Sequence, residues 1–154
     1  MEEDTLPVGA GTSETRMLRG MDMFISIYNL HRSELYWDEP DTFDPDRFNR
    51  KKESTVEGWA GFDPEGWKGQ FYPNERASDW AYLPFGGGPR KCVGDQFAML
   101  EATVALSMLV KRYEFAFGGK TPTPADVGTA TGATIHTKNG LWMTLTRRDG
   151  GSGE

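Results

Sequence analysis

Apolar residues recur at three- and four-residue spacing between Asp95 and Tyr113, at Phe97, Leu100, Val104, Met108 and Leu109, and this spacing predicts one long helix. The small residues Ala98, Ala102 and Ala105 lie along it. Asp95 in its first turn and Lys111-Arg112 in its last both match the helix dipole in sign. Met21 to Tyr28 alternates instead, with Met21, Met23, Ile25 and Ile27 on one side and Asp22, Phe24, Ser26 and Tyr28 on the other, which predicts a strand. Asn29 to Tyr36 reads as a short helical turn. Trp37 to Phe48 carries Trp37, Phe43 and Phe48 but is broken by Pro40 and Pro45, so it is expected to be turn-rich coil pinned by its aromatics. Arg47 beside Phe48 is expected to be held by carboxylate or carbonyl partners; an exposed loop arginine is the plain alternative. Residues 49–81 are polar and glycine-rich yet contain Trp59, Phe62, Trp67, Phe71, Tyr72 and Trp80. A structureless loop of that length is uncommon in a compact domain, so an ordered insertion laid over a surface is expected.

Past the helix, Glu114 to Phe117 reads as a short strand and Gly118 to Gly132 as a loop holding Pro122 and Pro124. Ala133–Lys138 and Leu141–Thr146, joined by Asn139-Gly140, form the strongest hairpin signal in the chain. Residues 1–20 read as loop with a short extended piece, and the glycine-rich end from Asp149 as a flexible tail. No internal repeat is evident.

The chain has 154 residues, 37% hydrophobic, 26% charged and 12% aromatic, a balance suited to a globular chain. A net charge of −6 argues against a polyanion binder, so no nucleic-acid partner is expected. No run of about 18 apolar residues exists, so no membrane span is expected, and the acidic Met1-Glu-Glu-Asp start is unlike a signal peptide. A single cysteine excludes an intrachain disulfide and a cysteine-only zinc site.

That cysteine lies in Phe85-Gly-Gly-Gly-Pro-Arg-Lys-Cys-Val-Gly94, directly before the predicted helix. Backbone N–H groups of such a turn and the helix dipole both stabilise a thiolate. The bland reading is a small buried hydrophobe, as most free cysteines are. Three successive glycines, Arg90 and Lys91 make poor packing surroundings and good ones for an anion. A phosphatase-type nucleophile would place its arginine after the cysteine, whereas Arg90 precedes Cys92. A nucleotide-phosphate loop would end in Lys-Ser/Thr, which is missing. A metal thiolate, and heme iron above all, fits the parts: a thiolate ligand favours O–O cleavage. Gly94 would keep bulk off a macrocycle face, and Arg90 would pair with a propionate.

Phe85, Gly88, Arg90, Cys92 and Gly94 match the heme-thiolate signature Phe-x-x-Gly-x-Arg-x-Cys-x-Gly of the cytochrome P-450 monooxygenases at every fixed position. With each residue at a few per cent, a chance match is on the order of 10⁻⁵ for the whole chain. Ala98 and Glu101 also stand where that family commonly has Ala and Glu. Upstream, His31-Arg32, Trp37, Pro40, Phe43 and Pro45-Asp46-Arg47-Phe48 resemble the family's segment ending Pro-Glu-Arg-Phe, with Asp46 replacing Glu. Phe24 to Arg32, Tyr82 to Gln96 and Thr131 to Leu141 resemble the carotenoid-ring hydroxylases of plant and algal plastids, and Glu57-Gly-Trp-Ala-Gly-Phe-Asp63 resembles one branch of that group.

The resemblance implies the C-terminal part of the mainly α P-450 fold: one long helix after the cysteine loop, short helices, a long ordered insertion and a small β hairpin. Residues 1–147 would form a partial P-450 domain and 148–154 a flexible tail. It implies heme b with Cys92 as axial thiolate to the iron, and Phe85, Gly88, Arg90, Gly94 and Ala98 as further heme-binding residues. Arg47 would lock the core with a Glu–Arg pair from an upstream helix. No catalytic residue is assigned, because the oxygen-activating helix has no counterpart in this sequence. The implied function is hydroxylation of an apolar substrate, carotenoid rings by resemblance, with O2 and electrons from a ferredoxin or a P-450 reductase, in a plastid. Lys91, Lys111, Arg112 and the Arg50–Lys52 cluster could form a docking face for an acidic redox protein. A P-450 enzyme is roughly three times as long, so the chain is expected to be an incomplete piece that binds heme weakly or not at all by itself. The alternative is a truncated, non-catalytic remnant serving as an interaction module. His31 and His136 are expected to be packing or surface residues, not metal ligands.

Overall fold

A computed structural model describes residues 4–6, 15–132 and 134–148 of the chain. The expected tail from Asp149, most of the expected N-terminal loop and Ala133 lie outside the described residues. Two compact units divide the chain, Met1–Met99 and Leu100–Glu154. In the first, strands β1 (Asp4–Leu6) and β2 (Thr15–Met17) pair antiparallel, Thr5 opposite Arg16. A one-turn helix α1 (Ile27–His31) follows, and the cysteine loop then leads into helix α2 (Asp95–Arg112). In the second unit β3 (Tyr113–Phe117) is followed by a short helix α3 (Pro124–Val127), β4 (Thr129–Thr131), β5 (Ile135–Thr137) and β6 (Met143–Arg147).

The strand expected over Met21 to Tyr28 is not formed. Residues 21–26 carry no regular structure, and Ile27 already belongs to α1. Met21, Met23, Phe24 and Ile25 are all exposed, so neither side of the alternation has a neighbouring sheet to make it a strand. The expected helical turn survives in shortened form, continued by Tyr36 and Trp37 amides donating to the Ser33 carbonyl at 3.1 and 3.0 Å.

The insertion at 49–81 is ordered, as expected, but it does more than cover a surface: it supplies most of the buried core of its unit. Trp59, Phe62, Ala77 and Ala81 enclose Trp37, with Phe48, Trp67 and Tyr82 packed around them. The Trp37 ring lies 5.9 Å from Phe62, 6.1 Å from Phe48 and 6.4 Å from Trp59, in the tilted and edge-on arrangements that aromatic quadrupoles favour. Each buried indole N–H has a carbonyl: Trp37 donates to Ala81 at 3.3 Å, Trp59 to Ser78 at 2.9 Å and Trp67 to Phe48 at 3.2 Å. Arg47 is held by carbonyls, donating to Asp38, Glu39 and Thr42 at 2.8, 3.0 and 2.7 Å. Those three bonds close the turn that Pro40 interrupts.

The Asn-Gly hairpin is a second correction. β5 pairs with β4 and β6 pairs with β3, so the segments flanking Asn139-Gly140 do not pair with each other. The Asn139 side chain donates instead to the Asp126 carbonyl at 2.7 Å, at the end of α3, and its amide to Val127 at 3.0 Å. Thr121, fully buried, accepts from the Trp142 amide at 2.8 Å and draws β6 toward β3. The residues between Gly118 and Gly132 thus contain α3 and β4 where a plain loop was expected.

Phe62 is 1% exposed, and truncating it opens a cavity beside the Trp37 and Phe48 rings. Phe62→Ala is expected to cost roughly 3–5 kcal/mol, measured as a lowered urea midpoint.

Candidate functional site

The cysteine loop is built by local bonds. The Gly86 amide donates to Leu83 at 3.1 Å, the Lys91 amide to Gly88 at 3.2 Å, and the Cys92 amide to Phe85 at 2.9 Å, closing the loop just before α2. Gly88 has φ +67, a left-handed conformation that opens the 3₁₀ turn Gly88–Arg90. Gly87 is needed for another reason: a Cβ there would meet Trp80 Cζ3 at 2.6 Å.

Cys92 is exposed, against the bland expectation of a buried thiol. A Cβ at Gly94 would stand 4.0 Å from its Sγ, so that side of the sulfur is clear. The amides of Val93 and Gly94 have no acceptor among the described residues, while Ala98 N–H donates to Gly94 at 2.9 Å as the helix begins. Arg90 is exposed with no ion partner among the described residues. Phe85 is half-buried with its ring 5.1 Å from Tyr72, and Ala98 is half-buried in the first turns of α2. Val93 and Phe97 are strongly exposed apolar side chains next in line to the thiol.

The cation beside the cysteine is arranged differently. Lys91 Nζ lies 3.0 Å from Asp95 Oδ2 and 3.4 Å from Glu75 Oε2, and these side chains keep only 23%, 11% and 13% exposure. Tyr72 donates its hydroxyl to the same Asp95 oxygen at 2.6 Å, and Lys91 Nζ sits 5.4 Å from the Tyr72 ring centre. The Tyr72 hydroxyl, followed by Lys91, holds the Asp95 carboxyl well below the usual carboxylate range. The Tyr72 hydroxyl, Asp95 and Glu75 hold the Lys91 ammonium well above its usual value. Burial, then the Asp95 bond, pushes the Tyr72 phenol up.

This cluster changes the expected docking cations. Lys91 is committed to Asp95 and Glu75, Arg50 to Asp44, Lys51 to Glu53 at 2.8 Å and Lys52 to Asp38 at 2.6 Å. Lys111 and Arg112 remain exposed, lining a concavity of about 610 Å³ with Arg147 and Arg148. Sequence reasoning missed Tyr72, Glu75, Asp95 and Trp80 as residues of the loop's surroundings. Lys91 and Asp95 stand four apart and were findable as a pair, but Tyr72 lies 23 residues from Asp95, with no local signal.

A glycine-rich loop that presents a lone exposed thiol at the head of a long helix defines a class of protein in which cysteine meets an external ligand. Within that class the chain belongs to the cytochrome P450 family, whose family model matches residues 15–143. It is 53% identical over 151 residues to cytochrome P450 97B2, chloroplastic, of Glycine max, covering 96% of this chain and 26% of that protein. It is 40% identical over 129 residues to carotene epsilon-monooxygenase, chloroplastic, of Arabidopsis thaliana, covering 84% of this chain and 20% of that protein. The fold matches retinoic-acid-bound cyanobacterial CYP120A1 with a TM-score of 0.54 at 21% identity, over 78% of this chain and 22% of that one. The chain therefore spans about a quarter or less of the length of these relatives. The expected partial P-450 fold, with its long helix after the cysteine loop, short helices and ordered insertion, is what the structure has.

Family membership implies a heme cofactor. The residues fit such a group: an exposed soft donor, a guanidinium two residues before it with no ion partner among the described residues, and exposed apolar side chains beside it suit a large flat ligand with anionic arms. Among the described residues no group of three His, Cys, Asp or Glu could hold a bare metal ion, and no helix is long and apolar enough to cross a membrane.

The histidines stay outside this site. His136 is exposed, with Nδ1 3.3 Å from the Thr134 carbonyl. His31 packs on Tyr82 with ring centres 4.6 Å apart, and its Nε2 accepts the Leu83 amide at 2.7 Å. Burial holds its pKa below the ordinary 6.5. The unfolded chain therefore binds this proton more readily than the folded one, and the neutral ring's contribution is full above 6.5 and lost as pH falls through the lower folded value. The thermal midpoint is expected to fall across that window, and His31→Gln, which keeps an acceptor, to flatten this part of the profile.

Proposed function

We propose that Cys92 is the axial thiolate of a heme b iron, and that residues 1–147 are part of one P450 domain in a plastid monooxygenase that hydroxylates an apolar substrate. The observation that carries this reading is the exposed thiol of Cys92 at the head of α2, beside the Val93 and Gly94 amides and the Arg90 guanidinium, all without partners among the described residues. The curated relatives favour a carotenoid-like substrate and a plastid: one is named carotene epsilon-monooxygenase, and both plant relatives are named chloroplastic.

When bound, a thiolate-ligated heme supplies the electron push for O–O cleavage. This chain's residues hold it. Arg90 pairs with a propionate, where a guanidinium offers two parallel donors. Gly94 leaves the sulfur accessible, and Gly88 gives the loop its turn. Phe85 and Ala98 supply a ring and a small residue beside the loop. The N–H groups of Val93 and Gly94 and the start of an 18-residue helix follow Cys92 directly and would donate toward a bound thiolate. Electrons would come from a redox partner, a ferredoxin or a P450 reductase.

Cys92→Ser tests the assignment in the heme-loaded protein. The red-shifted Soret band of the ferrous carbonyl complex, the mark of thiolate ligation, is expected to vanish while helical circular dichroism stays unchanged. A variant that keeps the band overturns it.

A further inference from the structure

The insertion at 49–81 touches the cysteine loop on both sides of Cys92, and these contacts carry a role that the heme assignment leaves unexplained. Before the cysteine, the Tyr72 ring lies 5.1 Å from Phe85, and Trp80 packs so closely on Gly87 that a Cβ there would clash. Immediately beside it, Lys91 is drawn to Glu75; three residues after it, Asp95 accepts from the Tyr72 hydroxyl. The insertion's side of the contact is itself strained into place. Asp79 and Trp80 adopt φ +44 and +68, a conformation that costs a non-glycine residue on the order of 1 kcal/mol or more and persists only when its surroundings dictate it. Trp80 N–H donates to Glu75 at 2.7 Å and Asp79 accepts from the Ala60 amide at 2.7 Å, so the strained pair is tied to the aromatic core.

We propose that the insertion is a brace for the cysteine loop, in which its Tyr72 and Glu75, together with Asp95 at the start of α2, are positioning residues that fix Lys91 and, through it, the neighbouring Cys92. The positioning role rests on the reading of Cys92 as the heme ligand; the brace itself does not. An exposed loop has no core of its own, and its conformation is set by whatever grips its backbone. Here the grip is directional. An ammonium shared by two carboxylates and capped by a phenol tolerates little displacement, because each of its members is largely withdrawn from water. A ligand that must meet iron along one axis gains from that stiffness, since a sulfur free to wander exchanges with thiol or solvent ligation.

Tyr72→Phe removes one hydroxyl and leaves the ring on Phe85. In the 154-residue chain, deuterium exchange at the hydrogen-bonded loop amides of Gly86, Lys91 and Cys92 is expected to quicken about tenfold, with the core amides around Phe62 unchanged. Asp95→Asn is expected to do the same, and Lys91→Arg to stay near wild type where Lys91→Met does not. In the heme-loaded protein the same variants are expected to shift carbonyl complexes from the thiolate-type Soret band to the unshifted one, with Lys91→Arg rescuing it. Loop exchange at the wild-type rate in Tyr72→Phe overturns the brace, even if Asp95→Asn fails to fold. Faster loop exchange with an unchanged thiolate-type fraction overturns the positioning role. A wild-type protein with no thiolate-type band overturns the ligand reading and positioning together, and the exchange result then still decides for or against the brace.

Discussion

Trp37 is the side chain around which the first unit closes. It stands before the insertion in sequence, is almost fully buried, and meets Trp59 and Phe62 from within the insertion and Tyr82 just beyond it. Its indole N–H reaches the Ala81 carbonyl, so the same residue fixes the place where the chain leaves the insertion and heads for the cysteine loop. A polar, glycine-rich stretch can order itself only by burying what few large apolar groups it has. Here Trp59 and Phe62 meet the Trp37 ring, and Trp67 packs against the same cluster. The consequence runs outward: with 77–83 anchored, Trp80 is pressed against Gly87, Tyr72 reaches Asp95 at the start of α2, and Glu75 reaches Lys91 in the loop.

An exposed cysteine sits at the end of this chain of supports. Exposure and fixity conflict in a loop, because the contacts that would hold a residue also cover it. The structure separates the two demands along the sequence. Cys92 and Arg90 face outward without protein partners among the described residues, while Gly87, Lys91 and Asp95, alternating around them, are gripped from behind. The odd composition of the loop follows: glycine where Trp80 approaches, a lysine where two carboxylates wait, and no side chain at Gly94 near the sulfur.

The parts that were legible in the sequence are those whose causes are local. The cysteine loop declares itself within ten residues, and α2 follows from its periodicity and its charged ends, ending one residue before the expected Tyr113. Arg47 was legible as a held arginine because proline-broken turns leave carbonyls in need of donors. What failed needed partners at a distance. The alternation at Met21 to Ile27 is a strand pattern without a sheet to receive it. Asn139-Gly140 is a turn pair whose asparagine is spent on the Asp126 carbonyl, and β6 answers to Thr121 and β3 rather than to β5. Tyr72 carried no signal, since its partner is 23 residues away and only the core brings them together.

The distribution of cations bears on how such a segment meets other molecules. Counting lysines and arginines near the cysteine suggests a broad positive face, but ion pairs absorb most of it. Lys91, the basic residue next to the thiol, is among the least available, shared between Asp95 and Glu75. Exposed pairs such as Lys51–Glu53 contribute little to stability, yet they still cancel charge at the surface. What remains open in the loop is Arg90 alone, and a single planar guanidinium beside a soft sulfur donor is a motif for one bound anionic ligand more than for a protein surface. Charge at this loop is therefore spent mostly within the scaffold, and the proposed heme role would draw on Arg90.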